Sequence, residues 1–189
     1  MSRHEAGLTD RERAAAVRLV GLDVDGVMTD GGLYLGATRG GERIEVKRFD
    51  ITDGLGIHLL QQSGIEVAIV TRRSSEAVRL RAEELGIREC HQNASPSKLP
   101  VLESIARKLG VGLEAVAFIG DDLADLPVLR RVGFPIAVAN AVPEVRAAAR
   151  WVSTRPGGFG AVRELAEFLL RARGEWVTAV ERYTGREEA

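Results

Sequence analysis

Cysteine is nearly absent from this chain: Cys90 stands alone, so no disulfide can form within it, and a reducing compartment fits. Cys90 itself reads as a buried filler. An excess of charge of one sign is lacking too. Basic and acidic residues nearly cancel, to a formal net charge of -1, and they are scattered, which removes the footprint expected for a nucleic-acid or anionic-membrane partner. A small-molecule partner is expected instead. No apolar run approaches the roughly 20 residues that span a bilayer. The opening stretch MSRHEAGLTDRERAAAVR is charged where a signal peptide carries an apolar segment, so the expected location is cytoplasmic. The histidines His4, His58 and His91 lack metal-ligand spacing, and no internal repeat or low-complexity linker is present.

What is there is a chain of 189 residues, 45% of them hydrophobic. That is enough for one domain with a real core and too short for two ordinary ones. Short β-branched runs alternate with helical patterns, which predicts an α/β protein with a doubly wound, mostly parallel sheet covered by helices on both faces. Strands are expected at 19–23, 66–70, 88–91, 116–120, 134–139 and 151–153. Helices are expected at 55–62, 75–85, 96–109, 124–131, 142–149 and 161–171, with Gly64, Gly86 and Gly110 as stop signals. Residues 31–49, GGLYLGATRGGERIEVKRF, break the alternation with a hairpin signature, too small for a cap domain. A lone hairpin is marginal in water, so Leu33, Leu35, Ile44 and Val46 are expected to pack against a neighbouring subunit.

In an open parallel sheet, ligands collect outside the carboxyl ends of the strands. The first strand delivers Asp23 and Asp25 there in LDVDGVMTDG, two carboxylates on the same side of an extended chain. One can attack while the other moves protons. The second strand delivers Thr71, the fourth delivers Asp121, Asp122 and Asp125 in GDDLADLP, and Lys98 enters from a helix start. Three carboxylates within five residues repel one another unless a cation compensates, and a hard, oxygen-liking ion such as Mg²⁺ fits. Each element also has a plain structural explanation. Asp23 and Asp25 suit a turn or a cap, and Thr71 reads first as a helix N-cap. Lys98 suits a solvated first turn behind a Ser95-Pro96 start, where a cation opposes the helix dipole by roughly 0.3 to 1 kcal/mol. In GDDLADLP, capping by Asp121 or Asp122 and dipole compensation by Asp125 are the alternatives to metal binding; Asp121 is the expected ligand, with Asp122 and Asp125 orienting the loop, metal waters or Lys98 behind it.

LDVDGVMTDG, Thr71, Lys98 and GDDLADLP, in that order, resemble the four motifs of the haloacid dehalogenase-like phosphatases. The capless hairpin, FDITDGLGI at 49–57, EVAIVTRRSS at 66–75 and RPGGFGAVRE at 155–164 narrow this. The chain is similar to the 3-deoxy-D-manno-octulosonate 8-phosphate phosphatases over residues 17 to 173, which implies an extension at 1–18, a phosphatase domain at 19–173 and a tail at 174–189. The resemblance implies an aspartyl-phosphate formed on Asp23, with Asp25 as acid and then base. It implies Mg²⁺ held by Asp23, the Asp25 main chain and Asp121, and a phosphoryl group gripped by Thr71 and Lys98. Arg73 and Gly54 are carried over as further substrate or phosphate contacts. It also implies a homotetramer joined through the hairpins and a place in lipopolysaccharide biosynthesis. The resemblance implies that the tail can cover a neighbour's site, but Trp176 and Tyr183 read first as ordinary helix-packing residues.

Two departures stand out. Arg72 follows Thr71 where the family carries glycine, and Thr52 stands where some relatives carry a basic residue suited to a substrate carboxylate. Alternative readings are a phosphatase for a nine-carbon, sialic-acid-type 9-phosphate, a phosphotransferase that passes the phosphoryl group to another acceptor, and a noncatalytic oligomerisation or regulatory module. Intact Asp23, Asp25, Lys98 and Asp121 argue against the last.

Overall fold

The computed structural model describes residues 8–94 and 96–185. In chain order its strands are β1 (Leu19–Leu22), β2 (Tyr34–Ala37), β3 (Arg43–Val46), β4 (Glu66–Val70), β5 (Glu89–His91), β6 (Val116–Gly120), β7 (Phe134–Ala137) and β8 (Trp151–Val152). Six of them form one sheet in the order β5-β4-β1-β6-β7-β8, every neighbouring pair parallel. β1 and β6 are buried along their whole length, as expected for parallel strands covered on both faces. The chain leaves β1 toward β4 on one side and returns through β6 on the other, so β1 is the topological switch point where such sheets bind ligands.

The helices are α1 (Asp10–Ala15), α2 (Ile51–Gln62), α3 (Glu76–Glu84), α4 (Leu99–Lys108), α5 (Leu126–Leu129), α6 (Pro143–Ala148), α7 (Ala161–Ala172) and α8 (Trp176–Thr184). α2 and α7 pack closely because Gly56 has no side chain: a Cβ there would stand 2.9 Å from the Arg163 Cα. Phe118, Phe134, Leu19, Leu22, Ile57 and Leu60 are fully buried in the core, each worth roughly 1.5 to 3 kcal/mol over exposure. Gly64, Gly86 and Gly110 end their helices in the left-handed region, the conformation a stop glycine supplies. α1 is docked, with Ala14 and Val17 buried and a Thr9–Glu12 capping box at its start. No helix among the described residues is long and apolar enough to cross a membrane.

Several boundaries move from those expected, each for a local reason. α2 begins at Ile51, four residues early, because the Asp50 carboxylate accepts the Thr52 N–H at 2.7 Å and caps it. α4 begins at Leu99, three residues late; Ser95 lies outside the described residues. Pro100, not Pro96, occupies the first turn, Ser97 Oγ accepts the Leu99 N–H, and Lys98 sits at the cap. The expected helix at 124–131 is a 3₁₀ turn (Leu123–Asp125) followed by the short α5.

The hairpin forms as expected but departs in its facing. Tyr34 pairs with Val46, Leu35 with Glu45 and Gly36 with Ile44. Directly opposed residues share a face, so Tyr34, Ile44 and Val46 lie on one side and Leu35 and Glu45 on the other. The four apolar residues read from the sequence therefore do not make a single surface, and all four are exposed in this chain.

Candidate active site

β1 ends at Leu22, and the Asp23 N–H still bonds the Ile119 carbonyl of β6 at 3.2 Å. The strand register thus carries the Asp23 carboxylate to the rim of the sheet. Beyond it the chain knots: the Val24 carbonyl accepts the N–H groups of Val27, Met28 and Thr29, and the buried Thr29 hydroxyl donates to the same carbonyl. A distant loop braces this knot. The Gly158 N–H bonds the Val27 carbonyl at 2.9 Å, and Gly157 lies so close that a Cβ would fall 1.7 Å from the Gly26 carbonyl oxygen.

Asp23 and Lys98 meet at 2.6 Å, and the same ammonium reaches Asp125 at 2.7 Å. All three are buried. The second Asp125 oxygen accepts the Asp121 N–H at 3.0 Å, so Asp125 aligns both the lysine and the loop that carries Asp121. The Asp121 carboxylate stands over Gly26, whose missing Cβ would meet it at 2.1 Å. Oxygens of Asp23, Asp121 and Asp125 lie within 4.8 Å of one another. Burial and the neighbouring Asp125 raise the Asp23 pKa to about 6 against the pull of Lys98. Burial, Asp23 and Asp125 raise Asp121 to about 8. Burial works to lower the Lys98 pKa, but Asp23 and Asp125 outweigh it and raise it. Carboxylates that resist ionising together are what a divalent cation relieves. The donor set of hard oxygens fits Mg²⁺, with Asp23 and Asp121 available and both Asp125 oxygens already hydrogen-bonded.

Asp25 has its own support. Its Oδ1 is ion-paired with the Lys47 ammonium, and its Oδ2 lies 3.4 Å from the Arg73 Nε. Glu45 bonds the same two cations, Lys47 at 3.4 Å and Arg73 at 3.2 Å. Neither Lys47 nor Glu45 is evident from motif spacing. The available signal is that they stand two apart at a strand end and so project to one face.

Asp23, Asp25, Thr71, Arg73, Lys98 and Asp121 line one open cleft of about 310 Å³. Thr71 is not a helix cap: α3 starts at Glu76 behind Ser75, and the Thr71 hydroxyl accepts the Arg73 N–H at 3.4 Å. Lys98 is not a solvated lysine. Asp122 is the cap its alternative reading described, accepting the Leu123 N–H at 2.7 Å. Gly54 is not brought to the cleft; it lies in the first turn of α2, where a Cβ would strike the Arg81 guanidinium at 2.6 Å. Thr52 is likewise engaged at the start of α2, its hydroxyl on Asp50 at 2.6 Å.

Residues 92–157 match the model of the haloacid dehalogenase-like hydrolases. The chain is 44% identical over 163 residues to the 3-deoxy-D-manno-octulosonate 8-phosphate phosphatase of Escherichia coli K12, covering 86% of this chain and 84% of that one. It belongs to the 3-deoxy-D-manno-octulosonate 8-phosphate phosphatase family. The Moraxella catarrhalis phosphatase in complex with magnesium, phosphate and KDO superposes with a TM-score of 0.85 at 40% identity, over 92% of this chain and 97% of that one. The cobalt-bound Haemophilus influenzae phosphatase does so with a TM-score of 0.80 at 36% identity, over 87% and 93%. In this octulosonate phosphatase family member, Arg72 takes the place of the motif glycine without strain. Its φ is not positive and its side chain is exposed, so the backbone at this position does not need the freedom of glycine.

Proposed function

We propose that this chain hydrolyses the phosphate ester of 3-deoxy-D-manno-octulosonate 8-phosphate through a phosphorylated Asp23. The observation that carries the reading is the pairing of Asp23 with the buried Lys98 at 2.6 Å, with Asp25 on the same cleft, in a chain that belongs to this phosphatase family. An Asp23 oxygen attacks phosphorus and the bond to the sugar oxygen breaks. A sugar alkoxide is a poor leaving group, and protonation by Asp25 at that moment is worth about 10²- to 10⁴-fold. Water then attacks the acyl phosphate, Asp25 takes its proton, and phosphate leaves with the Asp23 carboxylate restored.

Lys98 and the Thr71 hydroxyl hold phosphoryl oxygens, and Arg73, exposed at the rim, meets the rest of the substrate. Asp23, the Asp25 main chain and Asp121 would hold Mg²⁺, which when bound offsets the repulsion between a carboxylate and a phosphate dianion. Asp125 takes no part except to fix Lys98 and the Asp121 loop. The outward hairpin face of Tyr34, Ile44 and Val46 is where copies of the chain would meet in a homotetramer.

Phosphate release from octulosonate 8-phosphate, nonulosonate 9-phosphates and hexose phosphates, with Mg²⁺ and with chelator, tests the reading. A Mg²⁺-dependent preference for the first is expected. No release from any substrate by folded protein would overturn it, and transfer of phosphate to an acceptor other than water would reassign it.

A further inference from the structure

The proposed mechanism requires Asp25 to aim a proton at the leaving oxygen and later to accept one from water. A carboxylate three residues past a strand end, on a loop, turns about two side-chain bonds, and misplacement by about 1 Å costs about 10²-fold in rate. Something has to hold it. Arg73 is a weak candidate, because 44% of its side chain is exposed and it touches Asp25 at 3.4 Å. Lys47 is different: only 1% of its side chain is exposed.

Lysine ordinarily keeps its ammonium in water, and burying a charge is costly unless it is paired. Lys47 is paired twice, with Asp25 and with Glu45. Glu45 faces into the site because β3 alternates, and its own side chain is only 12% exposed. A second tie fixes where Lys47 emerges: Phe49, just downstream, bridges to Thr29 of the knot that follows Asp25. The lysine and the loop it steadies are thus joined at both ends.

We propose that Lys47 is a positioning residue for the reaction, acting through Asp25 and held in turn by Glu45. This rests on the assignment of Asp25 as the proton donor. Its signature is selective. A substrate whose leaving group needs no proton has little use for a well-aimed Asp25, whereas a sugar phosphate depends on it.

The experiment compares kcat/KM, which reports every step through loss of the leaving group, for octulosonate 8-phosphate and for 4-nitrophenyl phosphate in Lys47→Met, Lys47→Arg and Asp25→Ala, with thermal melts to verify folding. For Lys47→Met, kcat/KM is expected to fall about 10- to 100-fold on the sugar phosphate and less than about threefold on the aryl ester. The loss should lie in kcat, and Lys47→Arg should recover part of it. Equal losses on both substrates, or a loss confined to KM, would overturn the proposal. Asp25→Ala separates the two claims: selectivity there but not in Lys47→Met sinks the role of Lys47 alone, while no selectivity in Asp25→Ala sinks the assignment of Asp25 itself.

Discussion

Asp23 and Asp25 stand two apart in sequence, and each meets a buried lysine that is shared with a second acid. Asp23 has Lys98 and Asp125; Asp25 has Lys47 and Glu45. The settings differ. Lys98 comes from the start of α4 and Asp125 from the loop after β6, both anchored to the core, and Asp125 has no exposed side-chain surface. Lys47 comes from the exit of a hairpin whose strands are almost wholly exposed, and 28% of the Asp25 side chain remains open to the cleft. A nucleophile has to stay fixed on the path of attack, and a proton carrier has to face its substrate. The same three-residue device has been set rigid for one and open for the other.

The sharpest way to break this contrast is at the aspartates. Asp23→Asn is expected to lower turnover by at least about 10³-fold with the thermal midpoint unchanged or raised, because it removes a crowded charge. Near-normal phosphate release would exclude covalent catalysis at this position. Asp25→Asn should slow turnover by about 10²- to 10⁴-fold, in both steps.

Next come the lysines. Lys98→Met leaves buried carboxylates without their cation and should cost about 3 to 5 kcal/mol of stability, read by urea titration. Lys47→Met exposes the same problem at a wetter site and should cost about 1 to 2 kcal/mol. Equal costs would remove the distinction between a rigid and an open setting.

A third test uses pH. Asp23 and Asp121 have folded-state pKa values raised to about 6 and about 8, so the folded chain keeps protons that the unfolded chain releases near 4. Metal-free stability should therefore be greatest below about pH 4 from these groups and decline as pH rises toward about 8. Thermal melts across this range, with chelator and with Mg²⁺, should show the metal abolishing that decline. The smallest effect belongs to the hairpin. Ile44→Ser, exposed in the single chain, should change its stability by no more than about 0.5 kcal/mol while weakening any assembly seen by sedimentation.

Much of the frame was legible because it depends on local pattern. A parallel strand buried on both faces reads as a continuous apolar run, and 19–22, 67–70 and 116–120 do so; the rim residues Asp23, Thr71 and Asp121 follow at their ends, and Lys98 enters from the start of α4. What escaped depends on contacts between distant segments. Lys47 meets Asp25 only because the hairpin folds back across 22 positions. Gly54 carried a motif's glycine, yet the close approach it serves is to Arg81 rather than to a ligand. The start of α4 is expected at Pro96 because proline suits a first helical turn, but Pro100 suits one as well, and it is Pro100 that the structure places there, with Lys98 at the cap.

The glycines at 157 and 158 rest directly on the backbone that follows the proposed nucleophile. During synthesis that backbone leaves the ribosome early and its brace leaves late, so the site waits for the last fifth of the chain. A product cut short before Pro156 would contain Asp23, Asp25, Lys47, Thr71, Lys98, Asp121 and Asp125, and would still lack the surface that sets the loop after Asp23 in place.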